Sequence, residues 1–508
     1  MMMDQAVPIA PPTPDTSLAR RMVRGSLWIA GTSYLNLGVG LVVNIVLTHV
    51  LFPADFGRFA LAQFIFGLIN IRPKTGIGPA FAQRKDTTGE LVATHLALDL
   101  SAAVVTCALS VALVPLVHRL GYSWEIAWLV VALAIVGISD GLMGTAWTLL
   151  DKNLRLGQTS RINTGAFLLS YIPALWLAFH HGSYWSLVAQ NAMYSLLLVV
   201  GLWRVVLQTP RQLWSGTWRI EYSTAIALLR FGITIGATTV TGLLVAQLDN
   251  FYVGTVVGVA ALGLYTRAYN LAQWPTRLVT NIISQAAFYM YARVQDDRAR
   301  LEYAVTLSIW VITTLALPLA LAIFVAAPDL VRQLYGPRWA ESAVYLRFLV
   351  VYSVAAPLLG DAGCLFIAVG KPRITVMISS AQGATLGVLG LVLTLHGGVT
   401  GTCVAVGGAF VVGLIVTYRS LRSVVRLRLL PTLGIPACAV LITLVGYLAV
   451  MRLLDPHSSW PPPLAIVVKM SYAVCAYGAV LFLLQPRETA ARVRYLARVA
   501  RRDYGVLS

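Results

Sequence analysis

Arg72 and Lys74, which flank Pro73, and Arg277, two residues after Pro275, lie inside stretches of the 508-residue chain that are otherwise apolar. A charge at the middle of a bilayer costs at least about 2.5 kcal/mol, so such a side chain usually faces a wet interior and often marks a substrate path. The prolines point the same way, because each frees backbone groups that need a cavity, water or a neighbouring helix. The chemistry on offer is electrostatic: arginine clasps phosphate oxygens bidentately, and desolvation strengthens the contact. A cationic centre of this kind suits an anionic substrate, with pyrophosphate the natural guess.

Other ionisable residues sort by depth. Arg58, Arg230, Arg347 and Lys469 lie close enough to the ends of their stretches to snorkel to the headgroups and read as structural. Asp99, Asp140, Asp249 and Asp361 are the acids well inside. His95 and Asp99, at i and i+4, share one helix face, which serves either a proton relay or a polar helix contact near the surface. Asp249 and Arg267 close one stretch and open the next, and read first as an ion pair between consecutive helices. Phe64, Phe66, Tyr265, Tyr269 and Trp274 could stack on sugars or simply pack. All five cysteines fall in apolar spans, without the spacing of a metal site or a disulfide framework. No Walker A loop, nucleophile elbow or HExxH motif occurs, and no catalytic residue, metal or cofactor is expected.

The elements that must position these residues are membrane helices. The chain is 58% hydrophobic and 11% charged, with a mean hydropathy of +0.76, beyond what a soluble core needs. Stretches long enough to cross the bilayer recur near 25–51, 57–82, 91–116, 125–149, 163–179, 184–205, 229–256, 262–290, 303–327, 342–368, 374–395, 398–418, 432–452 and 463–484, and in lipid they must be helical. The expected fold class is therefore an all-α polytopic membrane protein with about 14 spans. With the N-terminus inside, 26 Lys and Arg fall in cytoplasmic segments and 4 on the opposite side, which places both termini in the cytoplasm. That spread also excludes nucleic acid as the reason for a net charge of +18. The tail from Arg487 to Arg502 is the one dense patch and suits anionic lipid headgroups. No cleavable signal peptide is expected.

The chain is also duplicated. Val50 to Ala62 returns in worn form at Val256 to Ala268, 206 positions along, pairing Gly57 with Gly263, Phe59 with Tyr265 and Ala62 with Ala268; upstream, Thr32 pairs with Thr238 and Asn44 with Asn250. Arg72 follows Gly57 by 15 residues and Arg277 follows Gly263 by 14, so each lies about 21 to 23 Å along its helix. Related halves facing one another are the usual geometry of alternating access around a shared site. The expected organisation is a disordered N-terminus at 1–19, an N-lobe at 20–206, a linker at 207–228, a C-lobe at 229–418, two appended helices at 419–485 and a basic tail at 486–508.

Residues 51–57 (LFPADFG), 76–86 (GIGPAFAQRKD), 149–155 (LLDKNLR), 249–254 (DNFYVG), 261–265 (ALGLY) and 334–339 (LYGPRW) make the chain similar to the Wzx-type polysaccharide and O-antigen flippases of the multidrug/oligosaccharidyl-lipid/polysaccharide exporter superfamily. The resemblance runs from about residue 20 to about residue 485. It implies two pseudo-symmetric six-helix lobes plus two C-terminal helices, in a bacterial inner membrane. It further implies translocation of an undecaprenyl-pyrophosphate-linked oligosaccharide, ahead of a polysaccharide polymerase and chain-length regulator as partners. Only the family's basic-cavity idea carries over, onto Arg72, Lys74, Arg267 and Arg277; His95, Asp99 and Asp249 are the candidates for ion coupling on the reading of the residues themselves. A peptidoglycan-precursor flippase or drug antiporter is the nearest alternative; a cationic-drug antiporter should present mid-depth acids instead. A membrane polymerase or ligase usually needs a large outer loop, and the longest outer connections, around 117–124, 328–341 and 453–462, are short.

Overall fold

The computed structural model describes residues 16–84, 86–208, 214–425, 430–453 and 461–494. Lys85, Arg211, Arg426, Arg428, Arg498, Arg501, Arg502, the first fifteen residues and the last of the basic tail lie outside the described residues, as do the side chains of Arg20, Arg21, Arg24 and Thr238.

The first half comprises α1 (Thr16–Val50), α2 (Pro53–Ile69), α3 (Ile77–Gln83), α4 (Gly89–Ala112), α5 (Val114–Arg119), α6 (Trp124–Lys152), α7 (Leu156–His181) and α8 (Trp185–Gln208). The second comprises α9 (Tyr222–Tyr252), α10 (Val259–Ala272), α11 (Trp274–Val294), α12 (Arg298–Leu334), α13 (Ser342–Ser353), α14 (Ala355–Ala368) and α15 (Pro372–Leu421), followed by α16 (Ile435–Leu453) and α17 (Pro462–Leu484). Eleven described helical segments are long and apolar enough to cross a membrane. The 50-residue α15 is two spans joined without a loop at Gly398, whose φ of 56° interrupts the helix. With that division, α9, and the kinked α10–α11 pair, the described helices account for all fourteen stretches read from the sequence. The chain is a multi-pass membrane protein.

α4, α6, α7 and α8 pack with α1 as one lobe, and α10 to α15 with α9 as the other, while α16 and α17 lie against α12. The face where α1 begins is the near face; α1 ends at the far face. The duplicated glycines meet where the lobes touch at the far face: a methyl group on Gly57 would sit 1.6 Å from the Val259 carbonyl oxygen, and one on Gly263 1.8 Å from that of Pro53. Only glycine permits that backbone crossing of α2 and α10. A second crossing lies toward the near face. There a methyl on Gly232 would meet the Thr75 carbonyl oxygen at 2.1 Å, and one on Gly236 that of Lys74 at 1.7 Å. Beside it, the segment before α9 is strapped to the start of α4: Gly89 N–H donates to the Ser215 carbonyl at 2.6 Å, Ser215 N–H to that of Thr87 at 3.1 Å, and Glu221 N–H to Thr94 Oγ1 at 2.9 Å. Hydroxyls of Thr224 and Ser223 bond the exposed Glu221 carboxylate and hold its pKa below the ordinary value.

Candidate functional site

The stretch read as one span at 57–82 is a broken helix. α2 ends at Ile69, a short tight turn carries Arg72–Thr75, and α3 starts after Gly76, whose φ is 61°. Proline at 73 cannot continue the ladder, and the groups freed by the break find local partners. Ile71 N–H donates to Thr106 Oγ1 on α4 at 3.1 Å, Arg72 N–H to Asn70 Oδ1 at 3.2 Å, and Thr75 Oγ1 to the Arg72 carbonyl at 2.7 Å. Lys74 Nζ donates to the Leu68 carbonyl.

Arg72 turns into its own lobe, where Nη1 meets Asp99 Oδ2 at 3.2 Å. One helical turn away, His95 Nδ1 bonds Thr145 Oγ1 at 2.8 Å and its ring stacks on Phe81 at 4.6 Å between centres. His95 Nε2 is buried without a partner. Arg72, Asp99 and His95 line a pocket of about 280 Å³ together with Pro73, Gly144 and Thr239. Arg72 thus pairs with a carboxylate inside its own half.

Arg267 and Arg277 meet in a different cavity, of about 260 Å³, between the lobes. The first lobe supplies Asn36, Leu37, Gly40, Leu41 and Asn44 from α1 with Phe167 and Tyr171 from α7; the second supplies Arg267, Asn270, Trp274 and Arg277 from the kinked α10–α11 pair, with Tyr335 closing the far side. Arg267 Nη1 donates to Asn44 Oδ1 at 2.7 Å, while Arg267 Nε and Asn36 Oδ1 are buried without partners. The Arg277 guanidinium makes no hydrogen bond or ion pair among the described residues and is exposed to the cavity. Such a wall offers an anion two guanidinium groups, with amide and phenol groups for neighbouring hydroxyls.

The ion pair expected between Asp249 and Arg267 does not form. Asp249 accepts from Tyr265 Oη at 2.6 Å and from Asn250 N–H at 2.8 Å, while Arg267 reaches across to α1 instead. The other span acids are partnered as well: Asp140 by Ser195 Oγ at 2.6 Å, and Asp361 by Tyr291 Oη and Ser308 Oγ, the latter at 2.7 Å. Among the described residues no cluster of three potential metal ligands occurs. Of the basic residues assigned to one centre, the structure brings together Arg267 and Arg277, and puts Arg72 with Asp99 and His95; Lys74 lines neither pocket, and Asp249 stands apart in the second lobe. Asn36, Asn270, Tyr171 and Tyr335 are lining residues that sequence reasoning passed over. For Asn36 the available signal was an amide at i, i+8 from Asn44 in an apolar helix.

The family profile described as "Polysaccharide biosynthesis protein" matches residues 46–344. The chain belongs to this family. The chain is 25% identical over 366 residues to the lipopolysaccharide biosynthesis protein WzxC of Escherichia coli K12, covering 71% of this chain and 72% of that one. It is 23% identical over 339 residues to the succinoglycan biosynthesis transport protein ExoT of Rhizobium meliloti, covering 66% of each. Its fold is similar to that of a lipid II flippase, MurJ, in an inward closed conformation, with a TM-score of 0.67, 11% identity and coverage of 90% of this chain and 98% of that one. In this chain the two helical lobes place the cavity on their boundary.

Proposed function

We propose that this chain is a flippase that carries an undecaprenyl-pyrophosphate-linked oligosaccharide across the bacterial inner membrane by alternating access, for lipopolysaccharide or exopolysaccharide assembly. The observation that carries the reading is the interlobe cavity, with Arg267 and Arg277 in its wall, no acid among the described residues that line it, and a glycine crossing of the lobes toward each face. A diphosphate needs such a cationic seat, and a cationic drug would need the opposite sign. The chain makes no covalent bond in this reading. The near face is the cytoplasmic one, as the distribution of Lys and Arg supports, so both termini lie inside and the far face opens to the outer leaflet. The pocket of Arg72, Asp99 and His95 is the place for ion coupling in the N-lobe, since a proton or cation on Asp99 would release Arg72. Asp249, held by Tyr265, has the bland role of a satisfied polar contact. A polymerase and a chain-length regulator act on the delivered lipid.

The test is complementation: the chain and its Arg267→Ala/Arg277→Ala variant are expressed in a strain lacking its own flippase, and surface polysaccharide is quantified at matched protein levels. Restored export by the chain and its loss in the variant are expected. Full export by the double variant would end the basic-seat reading.

A further inference from the structure

Arg267 takes part in two constructions at once. On one side it belongs to the cavity wall with Arg277, and its Nε lacks an acceptor. On the other, Nη1 reaches across the lobes to Asn44 Oδ1 at 2.7 Å, and its guanidinium carbon lies 4.3 Å from the centre of the Phe56 ring. Phe56 in turn meets Trp339 edge-on at 5.5 Å between centres. Trp339 is fully buried and donates Nε1–H to the Thr48 carbonyl at 3.0 Å, while Arg338 lies 4.6 Å over the Phe52 ring. The turn after α12 is thereby fastened to the far ends of α1 and α2, next to the Gly57–Gly263 crossing. Two of the sequence motifs, 51–57 and 334–339, thus form one seal.

Resting on the flippase reading, we infer that Arg267 is a positioning residue that transmits occupancy of the cavity by a diphosphate to this outer seal. In this structure its charge is held by the Asn44 amide oxygen and the Phe56 face, a cation–π contact that weakens when the charge is paired with an anion. A phosphate oxygen is a stronger acceptor, because a bond charged at both ends is shorter and roughly twice as strong as a neutral one. A diphosphate seated between Arg267 and Arg277 neutralises the guanidinium and draws it toward the cavity, away from Phe56 and Asn44. The ligand then favours the outward-open state by the difference it makes between sealed and unsealed forms, which is the only way a ligand can shift such an equilibrium.

The experiment uses the full chain in lipid nanodiscs with spin labels at Arg119 and Gln333, both exposed and outside the seal, and reads the distance distribution by pulsed electron resonance. Undecaprenyl diphosphate is the probe and undecaprenol the control; native mass spectrometry follows binding of each. The expected result is a longer-distance population that grows several-fold with the diphosphate only. Arg267→Gln, which keeps a donor for Asn44 and removes the charge, is read at diphosphate concentrations at which native mass spectrometry shows it loaded as fully as the parent, and there it should show no ligand-dependent growth. Asn44→Ala and Phe56→Leu should raise the long population without ligand. Equal opening of Arg267→Gln, or ligand-free distributions unchanged in Asn44→Ala and Phe56→Leu, overturns the inference. If the diphosphate binds and the distances stay fixed, the coupling alone fails. If wild-type protein does not bind it, the basic-seat reading fails too.

Discussion

By count from Gly57 and Gly263, Arg72 and Arg277 are counterparts in the two halves, yet Arg277 faces the cavity with no hydrogen bond or ion pair to its guanidinium among the described residues, while Arg72 is engaged by Asp99 at 3.2 Å. Different substitutions should therefore hurt in different ways. A hydrogen bond to a charged group contributes about 1.5–3 kcal/mol, and every 1.4 kcal/mol is about tenfold. Arg277→Ala is expected to lower export by roughly 10- to 100-fold on that scale, with an unchanged melting temperature and partial recovery in Arg277→Lys. Arg72→Ala should instead lower stability, because it leaves a carboxylate only 3% exposed without its cation. Breaking a buried pair costs about 3–5 kcal/mol; with Arg72 partly exposed, about 2 kcal/mol is the reasonable scale. The paired replacement Arg72→Met/Asp99→Leu should melt above either single variant in detergent, since it leaves no lone charge. A double variant that melts below both singles would show that the pair is not what the singles disturb.

At the scale of elements, the break between α2 and α3 is what turns Arg72 sideways, and it stands on a few hydrogen bonds. Thr106 Oγ1 accepts the Ile71 N–H that a continuous helix would have directed along its own axis. Thr106→Val keeps the shape and removes the acceptor, leaving a buried donor unmet at about 1–3 kcal/mol. The expected outcome is a lower melting temperature by fluorescence-detected unfolding, with Thr106→Ser close to the parent; equal melting of the valine variant would mean that water or another group serves Ile71. The number of spans and their order were legible in the sequence, because helix length and hydropathy are local sums. The break was not, although Pro73 marked its place, since a hydropathy window over Pro53–Gln83 still averages as one apolar helix. Distance along the chain could be counted from Gly57 and Gly263, but direction around the helix could not. Hence Arg72 and Arg277 looked like two sides of one site, and Asp249 looked like a partner of Arg267, when the side chains in fact point to Asp99, the cavity, Tyr265 and Asn44.

For the whole molecule, the lobe contacts lie toward opposite faces around a cavity of about 260 Å³, which is below the ~300–1,000 Å³ of an ordinary ligand site. An oligosaccharide does not fit within that volume, so a cycle that moves one must part the lobes on one side while they stay in contact on the other. Each crossing is a point where glycine alone is tolerated, and a branched side chain there pushes the backbones apart at a cost of about 1–3 kcal/mol, enough to shift a two-state equilibrium by roughly 5- to 150-fold. Gly57→Val is therefore expected to bias the protein outward-open and Gly232→Val inward-open. A single cysteine at Asn270, in a background lacking the five native cysteines, reports the difference when labelled with a membrane-impermeant maleimide from one side at a time. Outside labelling should rise and inside labelling fall in Gly57→Val, and the reverse should hold in Gly232→Val, with melting temperatures confirming that both variants are folded. Two folded variants that change labelling in the same direction would mean that the crossings do not act as opposed gates around one cavity.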